Sequence, residues 1–220
     1  MKQTNKVLFI ILVVAMIFSF RLSKSISQVT DVDGNVYKTV TIGTQVLTVE
    51  NLNVEHYRNG DLIPQVQDAD KWAKLTTGGW CYYENNPENE ITYGKLYNWY
   101  AVNDPRGLAP EGWHIPTEAE WQTLIDFLGG TKIAGKKMKS TSDWNENGNG
   151  TNESGFSGLP EGVCNLEGKF FGIGGGGGWW NITETNELNA WVINIGCESD
   201  AVFKGSGSKK NGFSVRCLRD

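Results

Sequence analysis

Apolar positions along this chain follow two rhythms, and the longer one is confined to a single stretch. Trp121, Leu124, Ile125 and Leu128 recur at i, i+3, i+4 and i+7, which puts them on one face of a helix. Thr117 with Glu120 three residues later forms a capping box, in which hydroxyl and carboxylate each take an amide that the helix start leaves free. Pro116 disfavours helix at Ile115, so the start is sharp. Gly129-Gly130 offers a left-handed C-cap at no steric cost. The spacing predicts one main helix over about 117–128, whose apolar face must bury against a sheet.

Elsewhere the rhythm is short. Residues 36–42 and 45–49 flank Gly43-Thr44, a glycine-first hairpin turn. Residues 50–75 read as irregular, with a short helix at 69–75. An aromatic strand follows at 80–83, then a polar loop at 85–89. Residues 96–102 fit a strand or a helical turn equally, because periodicity cannot separate them. Residues 132–139 are weakly helical. The stretch 142–158 is rich in Asn, Gly and Ser and reads as surface turns anchored by Trp144 and Phe156. Short β segments then follow at 162–166, 169–173, 179–180, 191–195 and 213–218. Trp191, Ile193 and Ile195 alternate with Val192 and Asn194, which is strand-like.

The N-terminus changes the picture of where the protein works. Lys2 and Lys6 precede an apolar run of 14 residues at 7–20, too short for a membrane span of about 20 residues. Ser25 and Ser27 supply the small residues of a cleavage site before Gln28. Residues 1–27 are therefore expected to be a secretory signal peptide, with an uncleaved anchor as the alternative. Residues 28–220 are expected to form a single domain, large enough for a real core. The segment 1–27 holds four basic residues and no acidic one, so its removal moves the net charge from −5 to −9. Such a surface argues against nucleic acid or an anionic membrane as partner, and no membrane insertion is expected after cleavage.

Candidate chemistry is sparse. His56 and His114 are far apart, so a histidine-based zinc site has little support. Cys81, Cys164, Cys197 and Cys217 include no CxxC pair, and an exported chain can form one or two disulfides among three two-bond connectivities. Asp31 to Asn35 lacks the distal ligands of a calcium loop. The glycine-rich run at 172–178 has no following helix start with Lys-Ser or Lys-Thr, so it reads as a flexible loop rather than a phosphate cradle.

Several motifs together resemble one family. Asp31-Val-Asp-Gly-Asn-Val-Tyr37, Glu50-Asn-Leu52, Tyr93-Gly94, Leu96-Tyr-Asn-Trp-Tyr-Ala-Val102, Gly112-Trp-His-Ile-Pro-Thr-Glu-Ala-Glu-Trp121, Asn152-Glu-Ser-Gly-Phe156, Trp179-Trp180 and Gly212-Phe-Ser-Val-Arg-Cys217 are similar to the Fibrobacter succinogenes major paralogous domain, from about Thr30 to Asp220. The resemblance implies an α+β fold of C-type lectin-like architecture, with short mixed or antiparallel sheets. It brings no established reaction with it. The helix-start motif also resembles the formylglycine-generating enzyme group. This chain departs from the pattern where Ala109 replaces the cysteine of Cys-Pro-x-Gly-Trp, and where Asn181-Ile182-Thr183 follows the tryptophan pair. Cys164 and Cys197 stand off the pattern, which suggests a private disulfide between them.

The formylglycine-generating group binds copper through a close cysteine pair, which Cys197 and Cys217, 20 positions apart, do not reproduce. His114 lies in the helix-start motif and no Gly-x-Ser-x-Gly elbow exists, so a serine triad has no anchor. A pair of carboxylates among 25 acids is uninformative. The chain is therefore expected not to be an enzyme. An enzyme related to that group, or a polysaccharide-active accessory protein, is the runner-up.

The favoured expectation is a secreted or cell-surface binding module for a glycan or a cell-surface protein. The chain has nine tryptophans, and aromatic rings can stack on sugar faces while Asn, Asp and Glu bond the hydroxyls. In the region where lectin-like folds present ligands, the candidates are Trp179, Trp180, Asn181, Glu187, Asn189, Trp191, Glu198 and Asp200. No cofactor is expected. Calcium has one element in its favour, Trp144-Asn145-Glu146, with no Glu-Pro-Asn or Gln-Pro-Asp partner.

Overall fold

The computed structural model describes residues 27–220, so the expected signal segment lies outside it apart from Ser27. Both ends of the described chain enter one sheet. β1 (Gln28–Thr30) pairs antiparallel with β2 (Val36–Ile42), which turns through Gly43 into β3 (Gln45–Thr48). Gly43 has φ +62°, a left-handed geometry that suits the first position of a tight hairpin. At the far end of the chain, β12 (Leu218–Arg219) lies between β3 and β6 (Trp113–His114), with Leu218 opposite Leu47 and His114.

The main helix, α4 (Glu118–Phe127), forms as its pattern predicts. Thr117 Oγ1 accepts the Glu120 amide at 3.3 Å, and Glu120 Oε2 accepts the Thr117 amide at 2.8 Å. At the other end Gly129 donates to the Asp126 carbonyl and Gly130 to that of Ile125, a Schellman closure with both glycines at positive φ. Trp121, Leu124, Ile125 and Leu128 are buried, together with Ala134 and Met138 of α5 (Thr131–Met138).

The helices pack between the first sheet and a second, antiparallel one. In it β10 (Asn189–Gly196) lies between β9 (Gly176–Glu184) and β11 (Val202–Ser208). Successive strand residues point to opposite faces. On one face Trp179 and Ile193 meet the helices, with Phe156 edge-on to Trp179 at 5.1 Å. On the other face Trp180 and Val192 meet Tyr97, Trp99, Trp113 and Val215. β9 and the middle of β10 are thus covered on both sides, while much of β11 faces solvent.

The Trp180-side cluster is completed by residues 52–63 and by β4 (Trp80–Cys81), β5 (Leu96–Tyr97) and α3 (Trp99–Val102). A smaller cluster joins Trp72 of α1 (Ala69–Ala73) to Cys81, Tyr83, Leu96 and Cys164. The last hairpin is β7 (Glu161–Cys164) with β8 (Phe170–Ile173). The protein is a mixed α/β fold with mostly antiparallel sheets. No helix among the described residues is long and apolar enough to cross a membrane.

Three segments differ from expectation. The polar loop at 85–89 is instead the start of α2 (Pro87–Tyr93), capped by the Asn86 side chain, with proline in its first turn. The ambiguous 96–102 stretch is both things in turn, β5 and then α3, divided by Asn98, whose side chain accepts the Ala101 amide. The glycine run is not a loop throughout, because Gly176, Gly177 and Gly178 are strand residues of β9. A Cβ at Gly177 would come within 2.4 Å of the Leu159 carbonyl oxygen, so the strand needs glycine there for close approach.

Candidate functional site

The eight residues expected to form a ligand surface do not come together. Trp179, Trp180 and Asn181 are 0 % exposed. The Trp179 indole donates to Asn51 Oδ1 at 2.9 Å and that of Trp180 to the Tyr97 carbonyl at 2.8 Å. The Asn181 carbonyl accepts from the Trp99 indole, and its side chain accepts from the Thr183 amide. These three residues are corrected to core positions: with both faces of β9 covered, neither ring can reach a sugar. Glu187 lies in the turn before β10, while Asn189 and the half-buried Trp191 are at the start of that strand. Glu198 and Asp200 lie in the turn after β10, with Asp200 paired to Lys136 at 3.2 Å. At about 3.3 Å per residue, the two turns are roughly 25 Å apart.

The expected Cys164–Cys197 disulfide is corrected as well. All four cysteines are free thiols. Cys164 is buried beside Trp72 and Tyr83, whereas the half-buried Cys197 packs against the cluster under α4. In the Trp144-Asn145-Glu146 element, the Trp144 indole is buried and donates to Ser140 Oγ and the Gly158 carbonyl, and the Asn145 amide donates to the Gly174 carbonyl. That element secures the loop from within.

A different constellation has the form of a site. A cleft of about 390 Å³ opens between the start of β2, residues 49–53, α2 and residues 157–159. One wall is apolar, with Val36 and the 87 % exposed Ile91. The half-buried Tyr93 lies beside them, and Glu50, Glu90 and Ser157 supply polar groups. α2 has no buried residue, so its side chains are displayed rather than spent on packing. It ends at Gly94, φ +73°, where a Cβ would lie 3.1 Å from the Leu52 carbonyl oxygen. A hollow of about 230 Å³ adjoins the cleft through Asn35, Asn53 and Glu90, and adds Asp33, Glu55 and Lys95.

The floor is built from polar groups already satisfied by one another. The Asn51 side chain donates to the Tyr93 carbonyl and Ser214 Oγ, and its oxygen accepts from Trp179 and Arg216. Asn51 therefore holds the cleft rather than a ligand. The Lys95 side chain is 1 % exposed, and its ammonium donates to the Asn53 carbonyl and side-chain oxygens at 2.9 Å each and to Glu90 Oε1 at 2.7 Å. It also lies 4.6 Å from the centre of the Trp80 ring and 5.6 Å from that of Tyr82. Lys95 thus fills an aromatic and carboxylate cage from within the chain. Partial burial pushes the Glu90 carboxyl up, but the Lys95 ammonium together with hydrogen bonds from Tyr82 and Asn53 holds Glu90 below its ordinary value. Burial and Glu90 together push the Tyr82 phenol up to about 12.

Lys95→Ala is expected to cost about 3–5 kcal/mol, the usual result of breaking a buried pair from one side. Ethylammonium should restore part of the lost melting temperature by entering the vacated cage. Sodium at equal ionic strength should not. Thermal melts in the two salts check this, and equal responses would show that no cage is formed.

Sequence reasoning missed Glu50, Glu90, Tyr93 and Lys95 as a group. The signals available were the Asn86-Pro87 helix start and the quoted Glu50-Asn-Leu52 and Tyr93-Gly94 motifs, which meet across this cleft.

Residues 40–219 match the family described as the Fibrobacter succinogenes major domain, and the chain belongs to that family. No curated protein and no solved structure matches the chain.

Proposed function

We propose that this protein is an exported, non-enzymatic binding module of C-type lectin-like architecture, and that it holds a glycan in the cleft between α2 and the start of β2. The observation that carries the reading is the exposed face of α2. Ile91, Tyr93 and Val36 offer an apolar surface of the kind a pyranose ring covers, flanked by Glu50, Glu90 and Ser157 that can bond hydroxyls. The meeting of both ends of the described chain in one sheet, with helices α4 and α5 and a separate three-stranded sheet, supports the lectin-like architecture. The basic start and apolar run of residues 2–20 support export. The runner-up enzyme reading draws nothing from Cys197 and Cys217, which pack in separate clusters.

A glycan array of the full chain, run with calcium and with chelator, tests the proposal. Binding to a defined glycan is expected in both buffers. Tyr93→Ala should weaken it tenfold or more, an effect of about 1.4 kcal/mol or above, and Trp191→Ala should leave it unchanged. The reverse pattern would move the ligand to β10, and a blank array would replace the glycan with a protein partner.

A further inference from the structure

We propose that Cys81 and Cys164 are the redox partners of this chain and close a disulfide that ties β4 to the β7–β8 hairpin. The two strands are not hydrogen-bonded neighbours: β4 pairs with β5, placing Cys81 opposite Leu96, and β7 pairs with β8, placing Cys164 opposite Phe170. An aromatic contact brings them together. The Tyr83 ring lies 5.4 Å from that of Phe170, and a Cβ on Gly162 of β7 would meet the Tyr83 ring at 2.5 Å. Cys81 precedes Tyr83 by two residues and reaches the same hairpin: a Cβ on Gly212 would lie 3.1 Å from Cys164 Cβ and 3.3 Å from the Cβ of Leu96, the strand partner of Cys81. A backbone bridge between Cys164 and Gly212, with hydrogen bonds of 3.1 and 2.7 Å, fixes the other side. Both cysteines are 1 % exposed and share one cluster with Trp72, Tyr83 and Leu96. Neither lines any of the cavities described above, which separates this pair from a catalytic one.

The chemistry is thiol–disulfide exchange with an external disulfide, either a small molecule or an oxidised dithiol protein. One thiol loses its proton and attacks the external S–S bond, giving a mixed disulfide and releasing one thiol. The second cysteine then displaces the other half. The chain loses two protons and two electrons, and the reagent gains them as two thiols. Burial pushes the Cys81 thiol up, so it reacts slowly in the folded chain. Exchange therefore takes place before the Trp72 cluster closes, and the finished bond is shielded from reductant. Cys197 and Cys217 stay reduced.

The test uses the full chain and does not depend on where it is exported. The chain is unfolded with reductant, refolded in mixed reduced and oxidised glutathione, alkylated, and digested without reduction. Mass mapping is expected to find the Cys81 peptide joined to the Cys164 peptide, about 2 Da lighter than their sum, with Cys197 and Cys217 alkylated. Cys197→Ser should keep that link. The oxidised chain should melt roughly 10 °C above its reduced form, and Cys81→Ser should abolish the difference. Four alkylated cysteines, or any link other than Cys81 to Cys164, would overturn the proposal.

Discussion

Trp180→Ala is expected to lower the melting temperature by roughly 10 °C, a loss of about 3–5 kcal/mol for a buried tryptophan in a domain of this size. The ring is 0 % exposed and stands edge-on to Phe213 at 4.9 Å. It fills the space between β9 and the segment that carries Tyr97, Trp99 and Trp113. Truncation leaves a cavity lined by rigid neighbours, because the opposite face of the strand is pinned by Trp179. Trp191→Ala, at a half-buried position, should cost much less. Thermal unfolding followed by circular dichroism checks both. An unchanged melting temperature for Trp180→Ala would put that ring outside the core and reopen β9 as a ligand surface.

That contrast marks how far the sequence could be read. Trp179-Trp180 advertises a strand, but whether both its faces are covered depends on partners as remote as Tyr97 and Phe156, so burial of the pair was not legible. α4 was legible because each of its signals is local: capping box, apolar stripe and glycine closure. The first hairpin was legible for the same reason. α2 was missed because it buries nothing and so has no stripe. Its stability rests on Asn86 and Pro87 at one end and Gly94 at the other. The strand character of Gly176 to Gly178 was hidden because glycine has no β signature. It is there so that Leu159 and Phe213 can approach. The candidate site was the least legible part, since Lys95 and Arg216 look like surface charges until the fold encloses them.

Arg216→Met is the second large effect expected, about 3–5 kcal/mol, with loss of cleft binding at the same time. The guanidinium is buried. It donates to Asn51 Oδ1 at 2.6 Å, to the Thr48 and Phe156 carbonyls at 3.0 Å each, and to the Ser157 carbonyl at 3.3 Å. These bonds hold residues 156–157 against residues 48–51, two walls of the cleft. Arg216→Lys should fail to rescue, because an ammonium cannot reproduce the planar fork. Burial pulls the guanidinium down to about 10, with Glu161 and Glu50 opposing the shift, so it remains charged at neutral pH. Glu161 is buried as well. Burial pushes its carboxyl up to about 8, against the pull of its own backbone, Arg216 and the Gly178 amide, and Oε2 has no hydrogen-bond partner. The unfolded chain releases this proton near pH 4.5 and the folded chain only near pH 8. Stability from this group is therefore complete below about pH 4.5 and is lost as pH rises toward 8. Glu161→Gln should remove that part of the slope, so its urea midpoint should gain on the wild type from pH 5 to pH 8. Removing Arg216 takes away the nearest counter-charge and should push the Glu161 transition higher still. Urea midpoints for wild type and Glu161→Gln that stay parallel across that range would show that Glu161 is already ionised in the folded chain, as it is in the unfolded one.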